Sequence, residues 1–241
     1  MTTLSITEVA REIMKSAAPV LFPDTCSLVD LIRLPIRNNE PAKVLRTLNA
    51  AQEILAAARQ TPRKAWIVIA PPIPIEWAEH SVATTENLSV ELRRIDELLE
   101  VLHTLEPIAK FPLGSRISYS DLEIGAGLSN ISQNFLLSGI EIQSDHDSTV
   151  KASFREISKT PPAAKGGAHK DCMIVEHVIA VCRELDNHSF AANKVFLTSN
   201  THDFCEPGSR STLQATLAEE FESVGLEFTL TWEWARQKMG L

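Results

Sequence analysis

The chain has 241 residues, a formal net charge of −8, and 44% hydrophobic against 22% charged residues. That length suits one enlarged domain or two small ones with a substantial core, and the composition is that of a soluble globular protein. The acidic balance excludes a large basic surface with bulk affinity for nucleic acid, although a local basic rim would still be compatible with it. The cysteines at 26, 172, 182 and 205 form no CxxC pair, which argues against a zinc ribbon. Their scatter fits reduced thiols rather than a disulfide framework. The opening "MTTLSITEVAREIMKS" has no secretory apolar core. No apolar run approaches the roughly 20 residues that span a bilayer. A cytoplasmic protein without a membrane partner is expected.

In chain order, residues 6–17 place Ile6, Val9, Ala10, Ile13 and Met14 at helical spacing, with Ser5 or Thr7 as cap. "PVLF" reads as a short buried strand ending at Asp24. Residues 27–36 read as a short helix that Pro35 disturbs, and 42–59 as an amphipathic helix. "KAWIVIAPP" at 64–72 is a second buried strand that two prolines stop. "IPIEWAEHS" opens a helix with Pro74 near its first turn, and 86–109 is strongly helical. Turn residues crowd 111–168, where "ISQNFLLSG" and "STVKASFREISK" suggest short helices; this stretch is expected to be an insertion or helical cap. A helix from 170, a third strand at 193–200, a helix over 210–223, the strand "GLEFTLTW" and a C-terminal helix complete the chain. Strands alternating with helices predict an α/β fold: a single domain over 1–241, built as a three-layer α/β/α sandwich around a mainly parallel sheet.

Ligands of open parallel sheets bind beyond the carboxyl ends of the strands, so the acids that fall there are candidates. Asp24 ends the first predicted strand, Glu76 follows the second behind "APPIP", and Asn200 and Asp203 follow the third in "TSNTHDF". Asp171 opens a helix, where the macrodipole favours a carboxylate. Acids converging from distant segments repel one another and need a counter-charge. A hard divalent cation with oxygen ligands, Mg²⁺ or Mn²⁺, supplies it.

The order of these motifs resembles the PIN domain, a metal-dependent ribonuclease fold. The chain offers "VLFPDTCSLVDLI" for an apolar strand running into D-T, and "IVIAPPIPIEWAEH" for an acid after the second strand. It offers "KDCMIVEHVIA" for an Asp opening a helix and "FLTSNTHDF" for the final T-x-N-x-x-D-F. The resemblance covers about residues 20–80 and 165–231, and is closer to a larger PIN-like branch than to the compact toxin nucleases. It implies an endoribonuclease in which metal-activated water hydrolyses a phosphodiester at the quartet Asp24, Glu76, Asp171 and Asp203. Asp24, Asp171 and Asp203 would be the ligands of Mg²⁺ or Mn²⁺. Asn200, Thr25 and Ser199 would support them, and Lys165, His169 and Lys170 would contact phosphate. RNA is then the implied substrate. Toxins of toxin–antitoxin pairs and nucleases of defence and RNA processing are of this kind, which adds an antitoxin, another protein or a second copy of the chain as partners.

Each residue also has a plainer reading. Asp24 could cap a helix, Asp171 could serve a helix dipole, Asp203 could form a turn, and Glu79 rivals Glu76. "SDHDS" at 144–148 reads as a loop rather than a metal site, and His177 as structural. Cys26, Cys172 and Cys182 read as small packed hydrophobes, and Trp232 and Trp234 as packing groups rather than a base-stacking platform. "KGGAHKD" lacks the G-x-x-x-x-G-K-[ST] phosphate loop. Two other functions compete. A non-catalytic PIN-like module would grip nucleic acid or protein. A haloacid-dehalogenase-like phosphatase would want a second acid two positions after Asp24, where this chain has Cys26.

Overall fold

A computed structural model describes residues 2–38, 40–106, 108, 117–166 and 168–241. Six strands form one parallel sheet in the order β1-β4-β3-β2-β5-β6. They are β1 (Thr2–Leu4), β2 (Val20–Pro23), β3 (Trp66–Ile69), β4 (Ile140–Ile142), β5 (Lys194–Leu197) and β6 (Leu226–Thr229). The helices are α1 (Ile6–Ile13), α2 (Thr25–Arg37), α3 (Pro41–Arg59), α4 (Ile73–Thr104), α5 (Ile124–Ser138), α6 (His146–Ile157), α7 (His169–Asn187), α8 (Thr201–Phe204), α9 (Ala215–Ser223) and α10 (Trp232–Lys238). α2, α3, α4, α5 and α10 pack among themselves, while α1 and α6 pack on α7. The result is a three-layer α/β/α arrangement. With helices over both faces, β2, β3 and β5 are buried along their whole length, as the unbroken apolar sequences of β2 and β3 require, while Lys194 at the start of β5 pairs with Asp186.

The local chemistry of the ends follows the sequence closely. Ser5 and Glu8 form a reciprocal capping box on α1. α2 runs through Pro35, which sits in its last turn, so the lost N–H removes one bond and the helix stops two residues later. Pro74 lies in the first turn of α4. From there no breaker intervenes, so the two helical stretches expected at 73–81 and 86–109 are one helix through Thr104. Residues 107 and 109, at the expected end, lie outside the described residues.

The segment 111–168 is not all insertion. Residues 111–116 and 167 lie outside the described residues. The remainder carries α5, α6 and, between them, β4, which pairs with both β1 and β3. A three-residue strand is too short to show a period of its own, which is why neither β1 nor β4 stands out in the sequence. Gly139 leads into β4 where a Cβ would come within 2.8 Å of Ile69 Cγ1, so the close approach of α5 to the sheet depends on glycine.

The order of the strands sets the position of the site. From β2 the chain moves to β3 and then β4 on one side, and returns to β5 on the other side of β2. The crevice at the carboxyl ends of β2 and β5 is therefore the topological switch point, where open α/β sheets bind ligands.

Candidate active site

Asp24 and Thr198 are the first residues beyond the paired ends of β2 and β5, where Pro23 is in register with Leu197. Asp24 is only 1% exposed. Its side chain makes no capping bond into α2. It accepts instead a 2.6 Å hydrogen bond from the Thr198 hydroxyl. The Asp24 backbone N–H donates to Leu197 O at 2.8 Å, which continues the ladder and fixes where the carboxylate emerges. Thr198 Oγ1 in turn accepts from the Asn200 N–H at 3.0 Å.

Asn200 ties the remaining acids together. Its side-chain oxygen caps α8 by accepting from the Asp203 N–H at 3.2 Å. Its amide nitrogen donates to Asp203 Oδ2 at 2.9 Å and to Asp171 Oδ2 at 3.3 Å. α8 is a single turn anchored by buried Phe204, whose ring lies 5.4 Å from that of Phe196 in β5. Asp171 stands in the first turn of α7. Glu76 stands in the first turn of α4, where Glu76 Oε2 accepts from the Thr25 hydroxyl at 2.7 Å. This separates Glu76 from its rival. The Glu76 side chain is 15% exposed, whereas Glu79 is 53% exposed and 3.1 Å from Lys170 Nζ.

The electrostatics are those of an acidic cluster short of positive charge. Burial, partly opposed by the Thr198 hydrogen bond and reinforced by the charge of Glu76, pushes Asp24 up to about 6. Burial, together with the charges of Asp24, Asp203 and Glu76, pushes Asp171 up to about 8. The Asp171 position in the first turn of α7 favours its charge, but not enough to offset these neighbours. The donors to the quartet are mostly neutral: Thr198, Thr25 and Asn200. Lys170 lies at the rim with its Nζ 3.6 Å from Glu76, and His202 Nδ1 lies 2.7 Å from Asp203.

The donor set is all oxygen and rich in carboxylate, which is the chemistry Mg²⁺ or Mn²⁺ takes. Among the described residues, no group of three or more His, Cys, Asp or Glu side chains is placed to hold a metal ion. The Asn200 amide joins Asp171 and Asp203, and the Thr198 and Thr25 hydroxyls hold Asp24 and Glu76.

The other sequence candidates divide. Thr25 holds Glu76. Ser199 is half-buried and lies on the wall of two neighbouring clefts. Lys170 reaches the acids, whereas Lys165 donates to His202 O and His169 Nδ1 lies 2.8 Å from Glu156. Thr198, the residue closest to the chemistry of Asp24, is missing from the sequence candidates. Its signal was the register: it follows β5 as Asp24 follows β2. His177 is structural as expected, accepting from the Asp145 N–H at 3.0 Å and pairing with Met173 O at 2.7 Å. Asp145, in "SDHDS", caps α6 through Ser148 N–H at 2.8 Å. Two expectations fail. Cys26 is exposed rather than packed, because it follows Thr25 on the open side of α2. Trp234 is 56% exposed, while Trp232 is buried as expected.

No helix among the described residues is long and apolar enough to cross a membrane. Compared with known proteins, the chain matches no family model, no curated protein and no solved structure.

Proposed function

We propose that the chain is a Mg²⁺- or Mn²⁺-dependent endoribonuclease of PIN-like type, acting in the cytoplasm. The observation that carries the reading is the convergence of Asp24, Asp171, Asp203 and Glu76, from four separate elements, on the switch-point crevice with almost no positive charge to balance them. Carboxylates so placed are costly unless a cation joins them. Asp24, Asp171 and Asp203 would hold it, with Glu76 beside them. Bound there, such an ion supplies Lewis acidity toward a phosphodiester and the water that attacks it.

The chain's own groups do the positioning. Thr198 orients the Asp24 carboxylate, Asn200 holds Asp171 and Asp203 at a common spacing, and Thr25 turns Glu76 inward. Lys170 sits at the edge of the acids, where a phosphate would meet positive charge. RNA as substrate, and an antitoxin or a second copy of the chain as partner, are parts of this proposal that rest on the motif resemblance.

The test is cleavage of end-labelled single-stranded RNA with Mn²⁺, repeated with chelator. Asp24→Asn and Asp171→Asn each lower the rate by at least about 100-fold, more than the loss from removing a mere support of a ligand, while circular dichroism stays that of the parent. Variants that cut RNA as well as the parent would place the chemistry elsewhere.

A further inference from the structure

Beside the acids, a cleft of about 540 Å³ opens along the carboxyl ends of β5 and β6, with Ser199, Arg210, Phe228, Trp234 and Lys238 in its walls. A cleft of that size takes one or two nucleotides. The tryptophans of this chain are otherwise satisfied. Trp66 Nε1 donates to Ser16 at 3.0 Å, Trp77 Nε1 donates to Ser132 at 2.8 Å, and the ring of Trp232 lies 4.6 Å from that of Phe135 in the core. Trp234 alone leaves its ring largely open to solvent, at 56% exposed. A large apolar ring held out of the core, in a cleft, has a use for its face.

Charge and position identify that use. Arg210 is exposed and has no ion pair among the described residues, in a chain whose net charge is −8. Lys238 adds a second cation, held by Glu227. Ser199, shared with the cleft, lies between Thr198, which holds Asp24, and Asn200, which holds Asp171 and Asp203. Adjacent residues stand only about 3.8 Å apart along the backbone, so the cleft lies next to the residues that hold the acids. An aromatic face flanked by cations is the arrangement that stacks a base and neutralises its phosphate.

We infer that this cleft is a nucleotide subsite for single-stranded RNA, in which Trp234 stacks on a base and Arg210 contacts the adjoining phosphate. The inference rests on the ribonuclease reading for the identity of the strand, and it predicts base-tolerant rather than sequence-specific recognition, because every base offers a face to stack.

Affinity separates the two ideas. The probe is a fluorescein-labelled single-stranded RNA of mixed sequence, about eight nucleotides long to fit one binding groove, followed by anisotropy in chelator so that nothing is cut. The parent binds it. Trp234→Ala weakens binding about tenfold and Trp234→Phe recovers most of the loss, as stacking requires. Arg210→Ala weakens binding and lowers the salt dependence by about one phosphate contact. No binding by the parent, or equal affinity in parent and Trp234→Ala, overturns the subsite. If Asp24→Asn abolishes cutting while Trp234→Ala binds as the parent does, the cleft is wrong and the nuclease stands. If Trp234→Ala loses affinity but the parent never cuts RNA, the nuclease is wrong and the cleft stands.

Discussion

Among the described residues, two groups of buried charge make an instructive contrast. On one side α6 and α7 bring Arg155 against Glu176, and Glu220 of α9 completes the set. Arg155 Nε donates to Glu176 Oε1 at 2.9 Å, another guanidinium nitrogen reaches Glu220 at 2.9 Å, and a third donates to Pro161 O. Arg155 is 6% exposed, yet its donors and the acids around it satisfy one another. At the switch point Asp24 is buried even more completely, with the neutral Thr198 hydroxyl donating to it and the like charge of Glu76 nearby. The first group is closed: its charges are its own counter-ions, and it holds α6, α7 and α9 together. The second is open, because burial has been imposed without neutralisation. A fold retains such an arrangement where a ligand of opposite charge completes it.

The contrast is sharpest when either group is broken. Arg155→Met removes the only cation of the closed group and strands Glu176. It should lower stability by about 3–5 kcal/mol, which for a chain of this size lowers the unfolding temperature by roughly 10 °C. Urea denaturation measures it, and a loss below about 1 kcal/mol would mean the ion pairs hold nothing together.

Thr198→Val takes the hydroxyl from Asp24 and leaves a buried carboxylate less satisfied. A cost of about 1–3 kcal/mol is expected in the same denaturation experiment, together with a fall in RNA cleavage of about 10- to 100-fold, as for other residues that orient a ligand.

Asp171→Asn should act in the opposite direction on stability, because it relieves repulsion within the open group. In chelator at pH 8 the variant should be more stable than the parent by about 1–2 kcal/mol, or roughly 4 °C. The dependence on pH has a definite sign. Asp171 is held near 8 and Asp24 near 6 in the folded chain, above the unfolded value of about 3.9. The folded state therefore binds more protons over that window. The stabilising contribution is full below about pH 4 and is lost as the pH rises toward 8. The advantage of Asp171→Asn over the parent should grow across that same interval. A variant less stable than the parent at pH 8 would show that the acids are already neutralised.

Much of this was legible in the sequence, for identifiable reasons. The buried strands β2 and β3 are continuous apolar runs and β5 is apolar after Lys194, and each gives way within two residues to Pro or a polar residue, so both the strands and the acids beyond them could be read. Asp24 and Asp203 needed only the rule that parallel sheets present ligand groups at carboxyl ends, whereas Asp171 was read as an acid opening a helix. The choice of Glu76 over Glu79 needed the first turn of α4 to face Thr25, a tertiary fact. Thr198 was hidden among three consecutive polar residues, Thr198, Ser199 and Asn200, and only the register of β5 on β2 singles it out. β4 was hidden by its three-residue length. The Arg155 group joins residues far apart in sequence, and no local pattern announces it. Trp234 was read as a packing group like Trp232, whereas α10 begins at Trp232 and turns the two rings to different surroundings.

The central claim is that the open group is completed by a divalent cation. Calorimetric titration of Mn²⁺ into the chelator-treated chain tests it most directly. Saturable binding in the micromolar to millimolar range is predicted, with an unfolding temperature that climbs with Mn²⁺, and both effects vanish in Asp24→Asn and Asp171→Asn. Absence of binding in that range, or binding that both variants retain, would contradict the account.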